Sequence, residues 1–545
     1  MNLETALLEW QRLLGDVGVL DANTTAARYG ADTNAIARSM LAALRPTSAP
    51  QVVEVMRIAY QHGVAVHPVS TGHNWGYGTA LPTRDGCVLL DLSGMDRIVD
   101  FDADLGVVTL EPGVTQAQLA KFLADGGHPY LVPVTGAGPQ CSLIGNALER
   151  GYGVTPHSDH FGAVTDLTAV LADGSTCRSA LSELGGDDIA RLFKWGIGPY
   201  TAGLFTQSGF GIVTRMSIAL ARRPACVQVC LFSLKDDHLL EPAVAAIHLA
   251  LSQTGGVVGA INLMNQHRVL AMAAPYPHAD MGPHGVLPAN AIAALGRRYQ
   301  ILPWTGFCTL YGTRRIVAAA AKELRSALSR VSSRMVFLSP DGAARLASLA
   351  RVLPGMGRIA RTAGTLAQSL ELVAGRPNET ALPLAYWRLP PDRQPSAQLQ
   401  GQGRDPARDG CGLIWYPPLV PQRPATVRAY VDMVTSTTPR FGIEPLITLT
   451  SLNDRVFDST VPILFDRAAP GAVAAARNCY SALFEAGRAL GCVPYRIASD
   501  QHGYLGSLLP AAMAFTRKLQ HALDPQGLIA PGRYGHSAAG PAGSA

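Results

Sequence analysis

Hydrophobic positions in the first third of the chain switch between a helical and a strand-like period. Residues 50–62 carry apolar side chains at helical spacing and end at Gly63, which predicts an amphipathic helix. The apolar face of this helix consists of Val52, Val55, Met56 and Ala59. Short apolar runs follow it and predict strands at 64–69, 87–92 and 106–111.

Cap and turn residues mark the next elements. Thr115 and Gln118 are spaced as a capping box, and Gly126-Gly127 ends the helix that follows. The apolar positions of that helix are Leu119, Phe122 and Leu123. Because the elements mix without the strict alternation of a doubly wound sheet, the pattern predicts an α+β fold.

A hairpin and a further strand complete the N-terminal region. The segment Asp166–Ser175 predicts a strand that enters a turn at Asp173-Gly174. A strand at Ile212–Leu220 follows, and Arg222-Arg223-Pro224 then marks a domain boundary. Helices and strands fill 225–490 around a Pro/Gly/Arg-rich loop from about Leu389 to Gly410 that we expect to be mobile. We expect the Gly/Ala/Ser tail after Ser537 to be frayed.

Length and composition exclude several classes of protein. A chain of 545 residues exceeds one compact core and predicts two to four domains. The net charge of +5 is small for this length, and no basic run interleaved with aromatics supports nucleic-acid binding. The N-terminus lacks a secretory pattern, and polar residues and glycines interrupt the most apolar window, 243–264, which argues against a spanning helix.

The cysteines point to a reducing compartment. There are nine of them, an odd number, and none forms a Cys-x-x-Cys pair. Cys226 and Cys230 lie four apart in a strand-like run and are expected to be buried structural residues. The expected location is therefore the cytoplasm.

The glycine-rich segment from Pro68 to Gly78 carries the first chemical signal. It follows an apolar run and contains three glycines and small hydroxyl side chains, which let backbone N–H groups approach a pyrophosphate. No Gly-Lys-Ser/Thr follows it, and the Gly-x-Gly-x-x-Gly spacing is absent. The segment is thus neither a Walker loop nor a Rossmann fingerprint.

Ordered motifs along nearly the whole chain resemble the vanillyl-alcohol oxidase / p-cresol methylhydroxylase flavoproteins. The pyrophosphate loop of that family matches Gly72–Gly78, and its Glu-Pro-Gly-Val-Thr turn matches Glu111–Thr115. Further matches are Gly145–Ala147, Glu149–Gly151, Thr155-Pro156, Asp159-His160, Gly198–Tyr200, Gly203–Phe205, Gln207-Ser208, Gly211–Thr214, Tyr495-Arg496 and Asp524–Gly532.

The resemblance implies a PCMH-type FAD-binding domain with an inserted cap. The FAD-binding domain is expected at 1–225 and the α+β cap, which supplies the substrate pocket, at 226–490. The segment 491–545 is expected to return to the FAD domain and the active site. Members of the family are commonly dimeric or larger, so a homo-oligomer is expected.

The same resemblance assigns roles to individual residues. The catalytic residues would be Asp159, beside flavin N5, with Tyr495 and Arg496. The FAD-binding residues would be Ser70, Thr71, Gly72, His73, Asn74, Gly76, Tyr77, Gly145, Asn146, Gly211, Ile212, Val213 and Arg533. The substrate-binding residues would be Gln116, Tyr495 and Arg496, and no metal site is expected.

Two departures from the family limit what is carried over. The segment Asp409–Pro417 contains no histidine in the region where relatives attach a covalent flavin through a His or Tyr. His73 instead occupies the position of the flavin-linking His of berberine-bridge-type oxidases, so it is either a tether or an unlinked loop residue. Phenol-oxidising members of the family hold the phenolate oxygen with two Tyr and one Arg. Tyr495 and Arg496 match one Tyr and the Arg, but the position after Glu-Pro-Gly-Val-Thr, which is usually Tyr, is Gln116. Plain 4-alkylphenols are therefore expected to be weak substrates.

Plainer interpretations exist for several of these residues. Asp159 is equally a loop aspartate, and Tyr495-Arg496 a strand-edge pair. Glu149 and Arg150 are expected to form an ion pair or cap, with a flavin contact as the alternative. His157 and His160 make a poor zinc site because no further Cys/His cluster accompanies them. Cys141 is better explained as a small buried residue than as a flavin contact.

The function predicted is FAD-dependent oxidation of a small aromatic, phenolic or other, alcohol, amine or alkyl side chain. Hydride would pass to flavin N5, and oxygen or a redox protein would reoxidise the flavin. One alternative is oxidation of a non-phenolic alcohol or hydroxy acid. Another is a flavin-binding protein without turnover, against which Asp159, Tyr495 and Arg496 argue.

Overall fold

The computed structural model describes residues 2–340, 342, 345, 367–395 and 403–535, and these form three sheets with helices packed on them. The class is α+β, as predicted. The part of Leu389–Gly410 at 396–402 and the tail beyond 535, including the stretch after Ser537, lie outside the described residues. None of the described helices combines the length and the apolar run that a bilayer crossing requires.

The N-terminal sheet consists of four strands in the order β1-β2-β4-β3, of which β2, β4 and β3 run parallel. These strands are β1 (Val19–Leu20), β2 (Met40–Leu44), β3 (Val66–Val69) and β4 (Cys87–Asp91). The predicted helix is α3 (Ala49–His62), which ends at Gly63 in the left-handed conformation and buries the predicted apolar face. It packs against α1 (Leu3–Leu14), whose Trp10 indole donates to the Val55 carbonyl at 3.2 Å.

A five-stranded antiparallel sheet stands beside the first, in the order β5-β6-β9-β7-β8. Its strands are β5 (Ile98–Asp102), β6 (Val107–Leu110), β7 (Val164–Val170), β8 (Thr176–Cys177) and β9 (Ile212–Ala219). The hairpin between β7 and β8 turns at Asp173-Gly174, as predicted. The capping box of Thr115 and Gln118 is present at the start of α4 (Gln116–Asp125).

The third sheet belongs to the cap and is antiparallel, in the order β13-β10-β12-β11-β16-β17-β15-β18, with β14 also paired to β17. Its strands are β10 (Cys226–Leu234), β11 (Val258–Asn265), β12 (Trp304–Gly312), β13 (Arg334–Leu338), β14 (Cys411–Tyr416), β15 (Pro418–Pro421), β16 (Thr448–Ser451), β17 (Val456–Asp466) and β18 (Val493–Pro494). Helices bury one face of this sheet in the largest hydrophobic core.

The remaining described α-helices connect and cover the sheets. They are α2 (Ala22–Tyr29), α5 (Leu143–Leu148), α6 (Ala180–Glu183), α7 (Asp187–Leu192), α8 (Leu240–Gln253), α9 (Gln266–Ala273), α10 (Ala289–Tyr299), α11 (Arg314–Leu328), α12 (Pro424–Thr437), α13 (Ala472–Ala489), α14 (His502–Leu508) and α15 (Pro510–Leu523).

The end of the described chain returns to the first sheet. Val66 donates to the Leu528 carbonyl at 2.8 Å and accepts from the Ala530 amide at 2.8 Å. The segment just after residue 490 still belongs to the cap, because β18 pairs with β15. The domain boundaries at 225 and 490 therefore stay predictions, although the end of the described chain does return to the N-terminal sheet.

The cysteines are all unpaired thiols. Cys230 is buried in β10, whereas Cys226, at the start of that strand, is only partly buried.

Candidate active site

A cavity of about 610 Å³ lies where the first two sheets face the cap. Its walls come from both regions, and no single segment supplies more than part of them. The lining segments of the N-terminal region include 67–75, 77–79, 141–142, 144–146, 148–149, 151–154 and 211–213. The cap contributes side chains from β11, β12, β16 and β17 and from α9.

The glycine-rich loop offers unpaired backbone donors to this cavity. Within the described residues, none of the N–H groups of Thr71 to Asn74 finds an acceptor. The Thr71 hydroxyl accepts from the Ser142 amide at 3.1 Å, which ties the loop to the start of α5. Successive unpaired N–H groups at one concave surface make an anion-binding site, as a pyrophosphate requires.

Glycines keep the walls of this site close together. Gly145 faces the Ser70 hydroxyl, and a Cβ at Gly211 would lie 2.7 Å from Phe205 Cε1. Gly78, at φ +116°, faces Ser499. Gly76 does not line the cavity itself. It leaves room for the Trp415 ring, which lines the cavity. Any larger side chain at these positions would push the walls apart.

Buried polar groups with unused bonding capacity fit a large polar cofactor. Burial, helped by the nearby Arg533, lowers the pKa of His67 to about 3, so this ring is neutral, and its Nδ1 has no described partner. Asn146 Nδ2 donates to His160 Nδ1 at 2.6 Å, which fixes the amide beside the cavity. Ile212 and Val213 supply the apolar part of the same wall. The loop, the glycines and these groups together fit FAD.

Tyr77, Tyr495 and Arg496 meet at the far end of the loop. The Arg496 guanidinium carbon lies 4.0 Å from the centre of the Tyr77 ring, and its Nη2 donates to the Asn74 side chain. Neither phenol hydroxyl bonds to a described residue, and both side chains line the cavity. Burial is the main cause that raises the pKa of Tyr495 and of Tyr77, so both hydroxyls are kept as donors.

Glu149 carries the negative charge of this corner. It forms ion pairs with Arg496, at 3.3 Å from Nε to Oε2, and with Arg533. The Tyr534 hydroxyl also donates to it at 3.0 Å. The expectation for Glu149 and Arg150 was an ion pair or a cap. Glu149 is the C-cap of α5, whereas its ion pairs are with Arg496 and Arg533, and the Arg150 Nε donates to Thr206.

Asp458 is a site residue that the sequence analysis missed. It lies on β17, is 5% exposed, and its Oδ1 has no described hydrogen-bond partner. Burial raises its pKa to about 7, against the opposing effect of Arg496. A carboxyl group that changes charge near neutral pH inside a cavity is a candidate proton acceptor.

Seven side chains of the cap wall form two rows across one face of the sheet. Paired neighbours place Phe307, Asn262, Thr450 and Asp458 in one row and Met264, Thr448 and Thr460 in the next. All seven line the cavity. The sequence did contain a signal for this wall. Residues two apart in a strand share a face, and a buried face is normally apolar, but positions 448 and 450 and positions 458 and 460 are polar.

Three predicted site residues do not line the cavity: Gly76, which packs against Trp415, Asp159 and Gln116. Asp159 is exposed on a turn, where its Oδ1 accepts from the Gly162 amide at 2.7 Å. Gln116 is buried, and its amide donates to Thr135 Oγ1 at 2.9 Å and accepts from the Thr135 amide at 3.1 Å. Tyr77, and not Gln116, is the residue that contacts Arg496 in the cavity. The expectation that plain 4-alkylphenols are weak substrates therefore loses its basis. The catalytic role expected of Asp159 is untested, and its exposed position outside the cavity favours the alternative of a loop aspartate.

His73 lines the cavity and stacks on Trp75, with ring centres 4.8 Å apart. Burial lowers its pKa, and its Nδ1 is buried without a described hydrogen-bond partner. A neutral ring with a free nitrogen is what a tether to the flavin requires. Cys141 also lines the cavity and is buried.

Comparison with known proteins identifies relatives that extend over the whole chain. Residues 40–180 match the family model described as FAD binding domain. The 1'-carboxy-chondrochloren decarboxylase of Chondromyces crocatus is 34% identical over 98% of this chain and 97% of its own length. The 4-cresol dehydrogenase [hydroxylating] flavoprotein subunit of Pseudomonas putida is 25% identical over 97% and 95%.

Solved structures share the fold. The substrate-bound crystal structure of p-cresol methylhydroxylase superposes with a TM-score of 0.84 at 24% identity, covering 98% of this chain and 97% of that one. The 4-ethylphenol oxidase of Gulosibacter chungangensis, in its isoeugenol complex, gives 0.85 at 22% identity and covers 98% of each chain.

Proposed function

This chain belongs to the vanillyl-alcohol oxidase / p-cresol methylhydroxylase family of FAD-dependent oxidoreductases, and on that premise we propose that it oxidises a para-substituted phenol at the carbon next to the ring. The observation that carries the proposal is the convergence of Tyr77, Tyr495 and Arg496 in one cavity. The relatives named for 4-cresol and 4-ethylphenol support the same substrate class.

The three donors are sufficient to hold the substrate as a phenolate. Ionising a phenol of pKa about 10 at pH 7 costs roughly 4 kcal/mol. A hydrogen bond to a charged group contributes about 1.5–3 kcal/mol. Two phenol hydroxyls and one guanidinium therefore exceed the cost, even though Arg496 is already shared with Glu149.

Asp458 is the group that we propose takes up the proton. Its pKa of about 7 lets it accept a proton from the entering phenol and release it again near neutral pH. Its Oδ1 has no described partner, so the acceptor atom is available. When bound, FAD supplies the two-electron acceptor for the hydride, held by the loop at Thr71–Asn74. Oxygen or a redox protein is proposed as the final electron acceptor.

The test is anaerobic single-turnover reduction of the bound flavin by a 4-alkylphenol and by its O-methyl ether. We expect only the phenol to react. Tyr495→Phe and Tyr77→Phe should each slow the reaction about 10- to 100-fold, the value of one hydrogen bond to a charged oxygen. Tyr60→Phe, on α3 outside the cavity, is the matched control. Equal reduction by the ether would contradict the proposal.

A second candidate reaction is oxidative decarboxylation, which the relative named 1'-carboxy-chondrochloren decarboxylase favours. Loss of hydride from a phenolate whose side chain carries a β-carboxylate leaves a quinone methide. The electrons of the C–CO₂ bond then restore the aromatic ring and release carbon dioxide. Carbon dioxide formed in step with flavin reduction would identify this reaction, and its absence with such a substrate would exclude it.

A further inference from the structure

Three arginines line the cavity, and only two of them form an ion pair with a described carboxylate. Arg496 and Arg533 both form ion pairs with Glu149. Arg268, on α9 of the cap, has no carboxylate within ion-pair distance among the described residues. A cation that lines a cavity without a protein counter-ion needs an anion from a ligand.

The position of Arg268 is fixed by hydrogen bonds that leave its charge uncompensated. Its Nε donates to Thr448 Oγ1 at 3.0 Å, and its backbone amide is capped by the Asn265 side chain at 3.0 Å. The Nη1 atom is buried and has no described partner. Burial, the one cause found for the shift, lowers the pKa of Arg268 to about 10, so the group is charged at neutral pH and no acid opposes the effect.

The cap sheet places Arg268, through its hydrogen bond to Thr448, beside the row of cavity-lining side chains that contains Asp458. Its partner Thr448 pairs with Thr460, while Thr450 pairs with Asp458. Thr448 and Asp458 are thus diagonal neighbours on one face, roughly 7–8 Å apart. That separation suits one molecule with a phenol ring near Asp458 and a short acidic side chain near Arg268.

We propose that Arg268 binds a carboxylate on the side chain of the substrate, so that the enzyme acts on acidic para-substituted phenols. The guanidinium fork presents two N–H groups to one carboxylate, and Thr448 holds it in place. The inference rests on the proposed oxidation of phenols and adds the class of side chain.

The test compares holoenzyme with 3-(4-hydroxyphenyl)propanoate and with 4-propylphenol, which lacks the acid. We expect wild type to favour the acid in kcat/KM. Arg268→Met should cost about 10- to 100-fold with the acid, the range for a hydrogen bond to a charged partner, and leave 4-propylphenol nearly unchanged. Arg268→Lys should retain part of the preference. Arg298→Met removes an exposed arginine of α10 outside the cavity and is the control for the loss of a positive charge.

Binding and stability provide readouts that do not depend on turnover. 3-Phenylpropanoate, which has the acid but no phenol, should raise the melting temperature of wild type and not that of Arg268→Met. Without ligand, Arg268→Met should melt higher than wild type, because a buried unpaired charge is removed.

The outcomes separate this inference from the proposed function. If neither phenol reduces the flavin, the proposed function is wrong. If 4-propylphenol reacts and the acid is no better in wild type than in Arg268→Met, the assignment of Arg268 is wrong.

Discussion

The two walls of the cavity are built in different ways. The N-terminal wall at 67–79 and 141–154 presents backbone amides and glycines, with close approaches such as that of Gly145 to Ser70. The cap wall presents side chains that alternate along β11, β16 and β17. One wall is shaped by the course of the main chain and the other by side chains on a regular sheet.

This difference separates the cofactor from the substrate. Where this wall packs closely it requires glycine, since a Cβ at Gly145 or Gly211 would collide with the residue opposite. A wall made of strand side chains changes its chemistry with one substitution and keeps its shape. The first suits a cofactor common to the family, and the second suits a substrate that differs between members.

The largest effect is expected from a change that breaks the main-chain wall. Gly78→Ala adds a Cβ at φ +116° and against Ser499, so we expect the protein to be purified without FAD. Flavin absorbance per protein measures this. Gly86→Ala is the control, because Gly86 also has a positive φ, +78°, but nothing within 4 Å of a Cβ. Equal loss in both variants would assign the effect to backbone strain alone.

A change on the cap wall should leave FAD bound and slow the chemistry. We expect Asp458→Asn to reduce its flavin about a hundredfold more slowly, within the usual range for a lost acid or base. Wild type should also speed up as the pH rises through about 7, where Asp458 ionises, and the variant should not. A variant with the rate and pH profile of wild type would exclude Asp458 as the proton acceptor.

The same residue predicts how stability depends on pH. The pKa of Asp458 is about 7 in the folded protein, above its usual 3.8, so between these values the folded state binds the extra proton. Its contribution to the free energy of unfolding therefore falls as the pH rises from about 4 to about 7. Asp458→Asn should raise the melting temperature at pH 8 more than at pH 5. A gain that is equal at both would show that the carboxyl is not buried as described.

A covalent bond between His73 and the flavin would keep the yellow flavin on the polypeptide after denaturation. We expect flavin to stay with wild-type protein after acid precipitation and to be released from His73→Ala. We expect His73→Ala to lose less of the wild-type rate of flavin reduction than Asp458→Asn loses, because the loop at Thr71–Asn74 still binds FAD. Free FAD in the supernatant of wild type would exclude the tether and leave the family assignment intact.

The smallest effect is expected at Asp159, which sits outside both walls. We expect Asp159→Asn to change flavin reduction less than twofold, since its carboxylate accepts from Gly162 on an exposed turn. Single-turnover rates beside those of Asp458→Asn measure the contrast. A hundredfold loss would restore Asp159 as the catalytic acid that its motif position suggests.

Much of the N-terminal wall could be predicted from the sequence, because its structure is local. The helix at 49–62, the loop to Gly78 and the capping box of Thr115 and Gln118 each depend on residues a few positions apart. Glycine spacing and cap residues act on the backbone next to them, so they can be recognised in the printed chain.

Only the tertiary structure decided which side chains meet at the reacting end. Tyr77 lies more than four hundred positions before Arg496, and Asp458 and Arg268 belong to no motif. Their neighbours are set by the pairing of β11, β16 and β17 and by the return of the chain after the cap. Motif position placed Gln116 and Asp159 in the site, but spacing along the chain does not fix which side of a turn or helix faces a cavity. Burial that shifts a pKa and a cation left without a partner arise only when distant segments pack together.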